Sequence, residues 1–140
     1  MKTTNQPSNA FIGASWAALI IGFATYIIGL WNTSTFALNE KGYYFAIIMY
    51  GLFAVISVQK SVRDRLEGIA VTPIYYALSW VSTFTAIALL IIGLWNAQLD
   101  MSQKGFFGMS FLLSLFSAIA VQKNTRDVST ATSPEAHVEL

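Results

Sequence analysis

Four stretches of this chain contain no Asp, Glu, Lys, Arg or His: residues 10–31, 42–58, 74–95 and 105–121. No other feature limits the fold so strongly. A helix rises 1.5 Å per residue, so the first and third stretches are long enough to cross a hydrocarbon core of ~30 Å. The second and fourth give ~26 Å on the same rise, the short end of the spanning range, and flanking Lys side chains can snorkel to the interface to cover the deficit. Four buried helices of a water-soluble protein would need polar outer faces, and these stretches have none. Charged residues make up 11% of the 140 residues and apolar ones 55%, against about 25% charged in a typical soluble domain. The expected fold is therefore an all-α integral membrane protein with four transmembrane helices.

The stretches are related in pairs. Gly29-Leu30-Trp31-Asn32 returns as Gly93-Leu94-Trp95-Asn96, Trp16 as Trp80, and Lys41-Gly42 as Lys104-Gly105. Val58-Gln59-Lys60 with Arg63-Asp64 returns as Val121-Gln122-Lys123 with Arg126-Asp127. The offset is 64 residues as far as the Asn and 63 beyond it, so the first copy has one extra loop residue. A two-helix unit has been duplicated. The division that follows is a polar arm (1–9), repeat 1 (10–68), repeat 2 (69–127) and a disordered tail (128–140). With two spans each, the two helical-hairpin repeats run parallel, related by a pseudo-twofold along the membrane normal.

In chain order, Ser8 or Asn9 is the expected N-cap of the first helix. Its apolar run is longer than a signal peptide's core, and the same kind of segment recurs mid-chain, so it is expected to be a retained span. Ala14, Ala18, Gly22, Thr25 and Gly29 share one helical face, and Ser79, Ser82, Ala86 and Gly93 form a similar stripe in the third helix. Gly51, Ala54 and Ser57 in the second helix, and Ser110, Ser114 and Ser117 in the fourth, continue the pattern. Small residues let helices approach closely where lipid supplies no hydrophobic drive for association. Packing is thus the expected role of these hydroxyls, with a polar-lined passage as the alternative.

Trp31 and Trp95 sit where interfacial anchors belong. Asn32 and Asn96 are expected to end their helices in a left-handed conformation. Asn39 and Ser102 are the expected N-caps of helices 2 and 4, with Tyr43, Tyr44, Phe106 and Phe107 forming an aromatic belt beside them. Helix 2 is expected to continue past the membrane through Lys60, Arg63, Asp64 and Glu67 to a stop at Gly68, and Thr72-Pro73 to open helix 3.

Lys2, Lys60, Arg63, Arg65, Lys123 and Arg126 lie on one side, and Lys41 and Lys104 on the other. Six against two predicts both termini in the cytoplasm. The basic residues are scattered around membrane segments, so no nucleic-acid partner is expected. With no Cys, disulfides and thiolate metal sites are excluded.

Gly29-Leu30-Trp31-Asn32, Leu38-Asn39-Glu40-Lys41-Gly42-Tyr43-Tyr44-Phe45, Glu67-Gly68-Ile69 and Ala120-Val121-Gln122-Lys123-Asn124-Thr125-Arg126-Asp127 resemble the small bacterial inner-membrane proteins of the YiaA and YiaB family, over residues 11–127. The resemblance implies a multi-pass inner-membrane location and the family's duplicated two-helix unit. It implies no activity.

Intramembrane ionisable residues mark ion pathways and proton relays, and none stands inside the four stretches. No catalytic residue, cofactor or metal is expected. The expectation is a structural or accessory component in the lipid bilayer, with a membrane-protein partner or a homo-oligomer. The alternative is a small oligomeric facilitator or pore lined by the Ser/Thr faces. The candidate docking residues are the duplicated charged ends, Lys60, Arg63, Asp64, Lys123, Arg126 and Asp127, for anionic lipid or a partner.

Overall fold

A computed structural model describes residues 6–132. It has four helices, α1 (Asn9–Asn32), α2 (Leu38–Leu66), α3 (Pro73–Asn96) and α4 (Met101–Ala131), each long and apolar enough to cross a membrane. At 24 residues, α1 and α3 are ~36 Å long, close to one bilayer crossing. At 29 and 31 residues, α2 and α4 are ~44 and ~46 Å, so their charged last turns extend past the apolar stretch.

Local signals set most of the helix ends. Ser8 Oγ accepts from the Phe11 amide at 3.1 Å, and Thr72 Oγ1 from the Tyr75 amide at 3.3 Å with Pro73 in the first turn. Helix α2 stops at Gly68, whose φ of 76° is the only positive value among the described residues. The Ile69 amide donates to Asp64 O at 2.8 Å and the Gly68 amide to Arg65 O at 3.2 Å, the pairing of a Schellman stop.

Several expected ends differ. Helix α2 is capped at Ala37, which has no side-chain acceptor, and Asn39 lies inside the helix. Helix α4 is capped by Asp100 rather than Ser102, its Oδ1 accepting from the Gln103 amide at 2.7 Å. In each case the preceding loop residue, Phe36 or Leu99, packs into the core, which fixes where the chain turns into helix. Asn32 and Asn96 are the last helical residues and have negative φ. The chain leaves them extended, through Thr33 and Ala97, so no left-handed residue is needed. Residues 128–131, expected to be disordered, continue α4. The rest of the tail, with His137, and Lys2 of the arm lie outside the described residues.

The repeats interleave. Helix α1 packs chiefly on α4 and α3 on α2, α2 and α4 meet in the middle, and the helices within one repeat touch little. The spatial order is α1–α4–α2–α3, so each repeat's first helix is held by the other repeat's second. Small residues make this approach feasible. A Cβ on Gly22 would lie 2.9 Å from Ser114 Oγ, and on Gly29 it would enter the Phe106 ring. In the equivalent places Gly51 meets Ala86, and Gly93 meets Tyr43. The α4 hydroxyls point into their own helix, Ser114 donating to Ser110 O and Ser117 to Leu113 O, and they are buried. They form helix contacts.

Near the loops, Phe36, Tyr44 and Phe107 stack in the core, with Tyr26 edge-on to Phe107. Tyr44 and Phe107 are therefore core residues rather than members of an interfacial belt. The reason is the interleaving, which turns that face of α2 and α4 inward. Trp31 and Trp95, at 75% and 82% exposed, remain on the outside as anchors.

Candidate functional site

Beyond the apolar stretches, the last turns of α2 and α4 lie side by side and bring the six expected docking residues together. Within α2, Lys60 Nζ reaches Asp64 Oδ2 at 2.8 Å, and Arg63 Nε reaches Glu67 Oε1 at 2.6 Å. Within α4, Lys123 Nζ reaches Asp127 Oδ2, also at 2.8 Å. These pairs follow from the four-residue spacing. Two further bridges cross the pseudo-twofold. Arg63 Nη2 lies 2.5 Å from Asp127 Oδ1, and Arg126 Nη2 lies 2.6 Å from Asp64 Oδ1. Each aspartate thus gives one oxygen to its own helix's Lys and the other to the opposite repeat's Arg. Arg126 also reaches Glu67 Oε2 at 2.8 Å.

Asp64 and Asp127 are buried, and an isolated buried carboxylate would resist ionisation. Here the cations prevail. Lys60 and Arg126 hold Asp64 below its ordinary value. Burial pushes Asp127 up, but Lys123 and Arg63 outweigh it and leave it lowered. Arg126 and then Arg63 lower Glu67. Four cations face three carboxylates, leaving one positive charge in excess.

Most of this clasp turns inward. The Lys60 and Lys123 side chains are 53% and 52% exposed, so these two ammonium groups face outward, alongside the exposed Arg65. Arg65 stacks on Tyr76 at 4.1 Å from the ring centroid, tying the end of α2 to the start of α3. Among the described residues no three His, Cys, Asp or Glu side chains are grouped to hold a metal. The arrangement can fix two helix ends and present positive charge. Its carboxylates stay ionised at neutral pH and are poor proton shuttles.

The four-residue spacing anticipates Lys60–Asp64 and Arg63–Glu67 within α2 but not the pairs between repeats, because nothing in the local spacing joins Arg63 to Asp127. Sequence reasoning also missed Asn124, a buried amide that donates to Ser15 Oγ across the α1–α4 contact at 3.2 Å. The available signal was the repeat register, in which Asn124 replaces Ser61.

Comparison with known proteins also finds a two-helix unit twice in this chain. The family model of the yiaA/B two helix domain matches twice, over residues 11–64 and 75–127. The chain is 52% identical over 131 residues to the inner membrane protein YiaA of Escherichia coli (strain K12), covering 94% of this chain and 90% of that protein. It is 36% identical over 66 residues to the uncharacterized membrane protein YubF of Bacillus subtilis (strain 168), covering 47% of this chain and 76% of the relative. No solved structure matches.

Proposed function

The chain belongs to the yiaA/B two-helix domain family, and from that premise we propose that it is a non-catalytic accessory component of the inner membrane, binding a protein or lipid partner at its charged end. The observation that carries this reading is the division of labour within that end. Arg63, Arg126, Asp64 and Asp127 are consumed in reciprocal pairing, which makes a rigid base. Lys60 and Lys123 ride on it as exposed cations. A pre-ordered pair of positive charges just outside a bilayer suits an anionic partner. In this reading, which the excess of Lys and Arg on one side supports, this end and both termini face the cytoplasm. Reporter fusions after Gly68 and Leu140 should then read cytoplasm, and fusions at Thr35 and Leu99 periplasm; a periplasmic Leu140 overturns the orientation.

The docking role is tested by crosslinking and affinity capture from native membranes, comparing wild type with the double variant Lys60→Gln, Lys123→Gln. Asp64 keeps Arg126 and Asp127 keeps Arg63 in that variant, so the base should survive. Loss of a specific captured partner supports the reading. Unchanged capture removes the charged end as the docking face. Solute flux through liposomes containing only this protein, with no captured partner, replaces the accessory role with a facilitator.

A further inference from the structure

Interleaving leaves an opening inside repeat 1. Helices α1 and α2 find their main partners elsewhere, and beside their connecting loop they border an open cleft of about 330 Å³. Its walls are Ile27, Leu30 and Trp31 of α1 with Gly42 and Phe45 of α2, and Lys41 lies at its rim. The Lys41 ammonium donates to Trp31 O at 3.0 Å and lies 5.5 Å from the centroid of that Trp ring. Among the described residues it has no carboxylate partner, unlike Lys60 and Lys123. An ammonium group has three donors, so two are left without a partner among the described residues, at the level where an interfacial Trp meets headgroups.

We propose that this cleft holds one anionic phospholipid from the leaflet at the loop end, its phosphate on Lys41 and an acyl chain along the wall between Ile27 and Phe45. The chemistry selects that occupant. Walls this apolar exclude a polar solute, the unpaired cation calls for an anion, and the medium around these helices is phospholipid. Repeat 2 serves as an internal control. Lys104 stands in the register of Lys41, but its loop is one residue shorter, and Lys104 makes neither the hydrogen bond nor the ring contact among the described residues. The site is independent of the charged end and of the docking role proposed for it.

The test is native mass spectrometry of the full chain in detergent, with phosphatidylglycerol or phosphatidylcholine added in equal amounts. Wild type and Lys104→Gln should retain one phosphatidylglycerol in preference to phosphatidylcholine, and Lys41→Gln should retain it roughly fivefold less, as expected for one interfacial basic residue. Gly42→Phe should also lose it by filling the cleft. A Cβ at Gly42 meets nothing within 4 Å, so that variant should fold. If Lys41→Gln loosens α1 by uncapping the Trp31 carbonyl, Lys41→Arg restores both the cation and the donor and must restore retention. Equal retention of the two lipids, or equal loss in Lys41→Gln and Lys104→Gln, reduces the effect to bulk annular lipid and overturns the site. Retention by Gly42→Phe overturns the cleft. A fall from dimer to monomer in Gly42→Phe makes a second copy the occupant and also overturns it.

Discussion

The α1–α4 and α2–α3 seams occupy equivalent places about the pseudo-twofold, and they are closed by different means. Both bring a glycine against a small residue at mid-depth, but the glycine changes sides. In the first seam it is Gly22 on the outer helix, facing Ser114. In the second it is Gly51 on the inner helix, facing Ala86. The polar ties also sit at opposite ends. Asn124 donates to Ser15 near the charged end of the first seam, and Tyr43 Oη donates to Leu89 O near the loop end of the second. The residues equivalent to these donors are Ser61, which returns to its own helix at Ser57 O, and Phe106, which has no hydroxyl. Backbone proximity is therefore what both seams share, while each hydrogen bond is local to one of them. This accords with the modest worth of interhelical hydrogen bonds in lipid, ~0.6 kcal/mol on average.

The largest expected effect comes from separating the seams covalently. Because α1 needs α4 and α3 needs α2, residues 1–68 and 69–140 expressed singly should be unstable or should pair with their own copies. Expressed together as two chains, they should copurify as one complex. A stable, monomeric first half would break the interleaved arrangement and the comparison with it.

Next in size is crowding at the glycines. At Gly22 a new Cβ would press on Ser114 backbone N at 3.2 Å as well as Oγ at 2.9 Å, and backbone cannot step aside. Gly22→Leu should destabilise the detergent-solubilised protein by about 1–3 kcal/mol or more. Phe23→Leu, one position round the helix, should cost much less. Gly51→Ala should be milder than Gly22→Ala, since its neighbours are the ends of the Phe111 and Leu115 side chains at 3.2 and 3.3 Å. Thermal melts of these variants rank them, and equal tolerance at positions 22 and 23 would mean that the stripe faces lipid.

The clasp should respond to acid. With Asp64, Glu67 and Asp127 all lowered, the folded state binds fewer protons than the unfolded one in acid. The stability they contribute is fully present above the ordinary values of 3.8 for the aspartates and 4.5 for the glutamate. It is lost as pH falls through the lower folded values. Melting temperature should be flat from neutral pH to about pH 5 and drop below pH 4. Arg63→Ala should cost roughly 1–2 kcal/mol at neutral pH. That is less than the 3–5 of a fully buried broken pair, because Arg63 is 20% exposed. It should also shrink the acid-dependent loss. An unchanged acid profile would show that the bridge from Arg63 to Asp127 contributes nothing.

What was legible in the chain follows the range of each interaction. Charge-free stretches, the small-residue stripes, the Thr72-Pro73 start and the Gly68 stop depend on nearby residues, the duplication is read by direct self-comparison of the chain, and each appears in the structure. Which helix meets which was not legible, since helices apolar all round leave no single face to identify the partner. That ambiguity carried into the site, where Lys60–Asp64 could be read from spacing but Arg126–Asp64 could not. The same interleaving moved Tyr44 and Phe107 from an expected belt into the core. The misplaced caps at Asn39 and Ser102 have a different cause. Both residue types favour caps, but the buried Phe36 and the half-buried Leu99, packed against the core, decided where the turn fell.

The smallest expected effect concerns Asn124, and it tests whether the seams differ in energy as well as in chemistry. Asn124 is 2% exposed, and its Oδ1 has no hydrogen-bond partner among the described residues. Its amide therefore makes one interhelical bond, worth ~0.6 kcal/mol, and leaves one buried acceptor unsatisfied, at a cost of about 1–3 kcal/mol. Ser15 does not depend on it, because its hydroxyl already donates to Phe11 O at 2.8 Å. Asn124→Leu removes both terms at similar volume and should be neutral or slightly stabilising in a detergent melt. Asn124→Ser copies the equivalent position of the other seam, where Ser61 bonds its own helix, and should change stability by less than ~1 kcal/mol. The converse variant, Ser61→Asn, faces Ser79, which stands in the register of Ser15 and likewise donates to its own helix, at Tyr75 O, so it should rebuild the cross-seam bond and also change stability by less than ~1 kcal/mol. If Asn124→Leu instead loses more than about 2 kcal/mol, well beyond one such bond, the amide is a structural tie and the first seam relies on hydrogen bonding in a way the second does not.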